Sequence, residues 1–96
     1  MTTYTYETVA ASQTDQVLGV TGGQGDLLHA LVITVATAAT GAVSIKDGAG
    51  SAIPITAANT PIGVYRVELN LRSANGAWKV TTGAGATVVG IGEFKV

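Results

Sequence analysis

The segment GVYRVELNLR alternates without a break, with Tyr65, Val67, Leu69 and Leu71 on one face and Arg66, Glu68, Asn70 and Arg72 on the other. Successive side chains of a strand leave opposite faces, so this two-residue period predicts a half-buried β-strand. Asn75-Gly76 follows, and both residue types accept the positive φ angles of a type I′ turn. Residues 64–72 and 77–82 are therefore expected to form a hairpin, with Trp78 and Val80 turned to the core. Upstream, AVSIKDGAGSAIPIT sets Val43 and Ile45 on one side, opens a turn at Asp47-Gly48 and resumes the inward pattern with Ile53 and Ile55. Pro54 falls at the opposite parity, which suits an edge strand or a bulge because proline has no N–H to donate. In TVVGIGEFKV, Gly90 and Gly92 share a face with Val88 and Phe94, and Trp78 is the bulky neighbour expected to need that space.

Residues 27–37 behave differently. Alternation sets Leu27, His29, Leu31, Ile33 and Val35 opposite Leu28, Ala30, Val32 and Ala36, so both faces are apolar. One thin sandwich rarely covers two such faces, and this strand is where contact with a neighbouring subunit is expected. Segments near 3–9, 16–20, 27–37, 42–46, 52–56, 64–72, 77–82 and 87–95, separated by glycine or asparagine clusters, give seven or eight strands and no helix. The pattern predicts a single all-β domain over 1–96, a compact antiparallel β-sandwich of jelly-roll type. Residues 1–9 are either a peripheral strand or an arm that clasps a neighbour.

Charge changes the picture most. Asp, Glu, Lys and Arg make up 11% of the chain, against about 25% in an ordinary soluble domain. Hydrophobic residues make up 47% of the chain. A domain of this size has much surface to cover, so part of the exterior is expected to be apolar or buried against other subunits. A homo-oligomer or larger assembly follows. Five scattered basic residues and a formal net charge of −1 leave no electrostatic footprint for nucleic acid. There is no cysteine for a disulfide or thiolate metal site, no signal-peptide pattern, and no apolar run long enough to span a membrane. The chain is expected to be made in a cytoplasm.

The glycine cluster in GVTGGQGDLLHALVITV superficially suggests a phosphate cradle. A Walker loop needs Lys and then Ser or Thr after its last glycine, whereas Gly25 precedes Asp26, and the β-branched run that follows reads as a strand where a cradle needs a helix. The cluster reads as a turn, with Asp26 expected to bond within it. His29 is the sole histidine, and beside Leu27, Leu31 and Ile33 it has no nucleophile or orienting acid at catalytic spacing. The six acids are spread singly, KDGAGS lacks the alternating oxygen ligands of a calcium loop, and Asp47 is assigned to its own hairpin. No catalytic site, cofactor or metal is expected. Tyr4 and Tyr6 are the exposed aromatic pair, and tyrosine is enriched at interfaces. The candidate interface residues are Tyr4, Tyr6, Leu28, His29 and Val32.

The order VAASQTDQVLG, GGQGDLLHALVITVAT, GAVSIKDGAGSAI and RSANGAWKVTTGAGATVVGIGEF resembles a group of small tailed-bacteriophage head proteins, the jelly-roll capsid decoration or cement proteins. The similarity spans roughly residues 9–94 and is strongest in GAWKVTTGAGATVV. The resemblance implies a virion component on the capsid exterior, a homotrimer partnered by the major capsid protein, reinforcing joints between capsid subunits without cofactor or reaction. A host- or carbohydrate-binding sandwich of a head fibre or tail is the alternative, with Tyr4, Tyr6 or the 57–63 loop touching the ligand.

Overall fold

A computed structural model describes residues 4–19 and 25–94. Within them lie eight strands and no helix: β1 (Thr5–Val9), β2 (Gln16–Val17), β3 (Leu27–Val35), β4 (Val43–Asp47), β5 (Ile53–Thr56), β6 (Gly63–Arg72), β7 (Trp78–Thr81) and β8 (Ala86–Glu93). They form two four-stranded antiparallel sheets, β1-β8-β3-β6 and β2-β7-β4-β5. The first strand pairs with the eighth, the second with the seventh, the third with the sixth and the fourth with the fifth. The chain is thus one long antiparallel ribbon folded at β4–β5 and wound up, with β3–β8 and β4–β7 pairing closing the sheets. That winding is the jelly-roll topology.

The core lies between the sheets. Val9, Leu28, Leu31, Ile33, Val35 and Val88 from the first sheet meet Val43, Ile45, Trp78 and Val80 from the second, with Leu18 and Phe94 closing the layer. Trp78 is 2% exposed, and its indole Nε1 donates to the Asp26 carbonyl at 3.0 Å. Pro54 does lie on an edge, since β5 borders the second sheet. β2 is shorter than the sequence predicts. The corner before it takes positive φ at Ser12 and Asp15, and its backbone is carried by bonds to the 78–83 segment: Leu18 N–H to Trp78 O, Thr82 N–H to Gln13 O and Ser12 N–H to Gly83 O. Asp15 pins the corner through its carboxylate, 3.3 Å from Lys46 Nζ and 3.1 Å from the Thr81 hydroxyl. Bonding by the Lys46 ammonium, then by the Thr81 hydroxyl, holds that carboxyl below the usual aspartate range.

The hairpin expected from Asn75-Gly76 does not form, because β6 and β7 belong to different sheets. Asn75 lacks the positive φ of a type I′ turn. Asp47 explains the crossing: its carboxylate accepts the N–H groups of Ala74 at 2.8 Å and Asn75 at 3.0 Å, holding the connection over the β4–β5 turn. The Asp47 side chain therefore serves this bridge between sheets, and its own hairpin takes only the backbone carbonyl, which accepts the Gly50 N–H at 2.9 Å. Gly90 and Gly92 face inward as expected, but the atoms nearest to them do not belong to Trp78. A Cβ at Gly90 would stand 3.0 Å from the Leu18 side chain, and one at Gly92 would collide with the Leu27 carbonyl. At one end of the sandwich two loops cross at Gly41 and Gly83, where a Cβ on either residue would lie within 2.6 Å of the other's Cα. Only glycine allows this approach.

Candidate interaction surface

A β-bulge near His29 decides what the first sheet shows to solvent. Between Leu28 and Ala30 the β3 register slips against both neighbours: β3 has the extra residue relative to β8, and β6 has the extra residue relative to β3. Strict alternation therefore fails there. Leu28, Leu31, Ile33 and Val35 all point inward, whereas His29 and Val32 share the outer side. Two expectations are corrected by this one irregularity. His29 does not lie on the face of Leu31 and Ile33, and Leu28, with no exposed surface, is a core residue whose side chain reaches no interface.

Cross-strand register then builds the outer face row by row. Tyr6, Ile91, Ala30 and Glu68 form one row across β1, β8, β3 and β6; Thr8, Val89, Val32 and Arg66 form the next. The centre is apolar, with Val32, Val89 and Ile91 half-buried and Tyr6 73% exposed. Antiparallel sheets that face water usually alternate to polar residues on that side, so an aliphatic centre is the departure that needs explaining. Charge lies on the β6 side, where Arg66 Nε is 3.4 Å from Glu68 Oε1, and at the end of β8, where Glu93 shares the outward parity of Val89 and Ile91. Next to the Tyr6 row, the Tyr4 ring stacks on the His29 ring with centroids 4.5 Å apart and planes 11° from parallel. His29 Nδ1 lies 2.5 Å from Asn70 Oδ1, an arrangement that requires the proton on Nδ1. Asn70 takes a positive φ of 53°, and this local turn leaves Leu71 40% exposed, although its parity predicted an inward position.

Four of the five candidate residues, Tyr4, Tyr6, His29 and Val32, thus stand on one face. Val89, Ile91 and Asn70 complete it and were not singled out by the sequence; the alternation of TVVGIGEF carried the signal for the first two. The 57–63 loop does not join them. It precedes β6, at the opposite edge of the sheet from β1, three strand spacings or about 14 Å away. The expected glycine turn falls mostly on residues 20–24, outside the described residues; the described element that follows is the strand β3, not a helix. Among the described residues, no three His, Asp or Glu side chains gather as metal ligands. Compared with protein-family models, with curated proteins and with solved structures, the chain matches none.

Proposed function

We propose that the chain is a structural virion protein that binds the outer surface of a bacteriophage capsid as a symmetric oligomer and stabilises the shell by bridging major capsid subunits. The observation that carries this reading is the apolar outer face of the first sheet, Tyr6, Val32, Val89 and Ile91, on a domain with few charges. A face of this composition gains free energy when covered by another protein. The ordered blocks that resemble decoration proteins, GAWKVTTGAGATVV above all, point the same way. On a symmetric shell each copy needs only a modest contact, because linked copies raise avidity by about 10²–10⁴ over one site. The work is done by buried area and hydrogen bonds across subunit joints, with no reaction and no cofactor.

The fibre or glycan-binding reading has less support. Tyr4 spends one ring face on His29, and the 57–63 loop lies across the sheet from both tyrosines. The experiment that separates the two is the copy number of the chain in sedimented particles. Decoration requires it to co-migrate with the shell in hundreds of copies; a handful of copies per particle contradicts decoration and favours a fibre or tail.

A further inference from the structure

Each sheet has two edges, and three of the four are guarded. β2 is two residues long, β5 is four residues long and contains Pro54, and β1 is five residues long. β6 is different: ten residues without proline, regular from Gly63 to Glu68 with its one bulge confined to Leu69–Asn70, and paired among the described residues only with β3. Its other side presents a row of backbone N–H and C=O groups, which folded proteins normally cover or disrupt. Tyr65, Val67 and Leu69 face the core from this strand yet stay half-buried, and three of the six exposed large hydrophobics, Ile62, Val64 and Leu71, lie on or beside it.

We infer that β6 is a self-association edge, where a second copy of the chain adds its own β6 antiparallel across a two-fold axis through Val67. The register follows from charge. For both sandwiches to lie on the same side of a continuous sheet, outward residues must oppose outward residues, so only registers that preserve parity are allowed. An axis at Arg66 sets that residue against its own copy, and an axis at Glu68 does the same for the carboxylate. An axis at Leu69 opposes Arg66 to Arg72. An axis at Val67 sets Arg66 against the second copy's Glu68 and Glu68 against its Arg66, giving two opposite-charge pairs related by symmetry. On the inner face the same axis opposes Tyr65 to Leu69, an aromatic–aliphatic pair that stabilises antiparallel strands. The existing Arg66–Glu68 ion pair becomes half of a four-charge alternating cluster. The contact is isologous and closes on itself, joining two four-stranded sheets into one of eight. It rests on β6 alone and does not depend on the capsid reading.

Charge exchange tests it. By sedimentation velocity at submillimolar concentration, the wild-type chain is expected to carry at least one two-fold contact and so to exceed the monomer mass. Arg66→Glu sets a carboxylate against the facing copy's Glu68 in each of the two symmetry-related pairs, and Glu68→Arg sets a guanidinium group against Arg66 in each. Each variant alone is expected to lose at least about tenfold in self-affinity. An equimolar mixture of the two restores both pairs and is expected to recover the association as a 1:1 heterodimer, identified by native mass spectrometry. Both positions are exposed, and circular dichroism of each variant checks that the fold is retained. A monomeric wild type, an oligomer unchanged by the single substitutions, or a mixture no more associated than its components would each overturn the inference.

Discussion

Trp78→Ala probes the join between the sheets, and the structure sets the size of its effect. The indole is 2% exposed within the core cluster, so truncation removes a large apolar volume that its neighbours fill only partly. Substitutions of this kind cost about 3–5 kcal/mol. A chain of 96 residues is stabilised by roughly 5–14 kcal/mol, so the variant loses a large share of its margin. Trp78→Phe separates packing from hydrogen bonding. It keeps an aromatic ring but deletes the Nε1–H donor to Asp26 O. That carbonyl still accepts the Ser73 N–H at 2.9 Å, so it is not stranded, and the cost falls to about 1–2 kcal/mol including the lost volume. Urea unfolding followed by far-ultraviolet circular dichroism is the assay, because Trp78 is the sole tryptophan and its fluorescence goes with it. The prediction is an ordered series, wild type above Phe above Ala, with unchanged m-values. An alanine variant within about 1 kcal/mol of wild type would refute the placement of Trp78 in the core.

Other perturbations test separate features. Gly83→Ala drives a methyl into the Gly41 backbone, so it should destabilise by at least about 1–3 kcal/mol in the same urea assay; a neutral result would mean the loops do not cross there. Leu31→Lys buries an ammonium at a position with no exposure and should leave no cooperative melting transition, whereas a soluble variant melting like wild type would contradict the core assignment. Asp15 is held ionised by Lys46 and Thr81, so its contribution is present above the unfolded carboxyl value and is lost as pH falls through the lower folded value. The stability gap between wild type and Asp15→Asn should thus hold steady from neutral pH to about pH 4 and shrink below it; a gap that widens on acidification would reverse the sign.

What the sequence made legible was local. Most strands announced themselves through alternation and glycine punctuation, and Val80, Ile45 and Pro54 took the positions their parity assigned, whereas Ile53, expected inward, is 39% exposed on the edge strand β5. Pairing across the molecule was not legible where a distant group overruled a local signal. Asn75-Gly76 has the composition of a hairpin turn, but Asp47, far away in sequence, captures the N–H groups that a turn would leave free. Gly90 and Gly92 correctly signalled crowding, yet the crowding atoms belong to Leu18 and to the Leu27 carbonyl. The outer face was half legible for the same reason. Tyr4 and Tyr6 were visible as exposed aromatics, but the bulge that groups His29 with Val32 and buries Leu28 arises from register against two other strands. No periodicity within LLHALVITV encodes it.

The proposed function is that this sandwich covers joints on a shell through the outer face of its first sheet. It is tested most directly by adding purified chain to shells that lack it and recording the temperature at which they disrupt. A saturable rise in that temperature is expected, with Val32→Glu chain, which charges the centre of the face and whose fold is checked by circular dichroism, giving a much smaller rise. Shells that disrupt at the same temperature with and without saturating wild-type chain would contradict it.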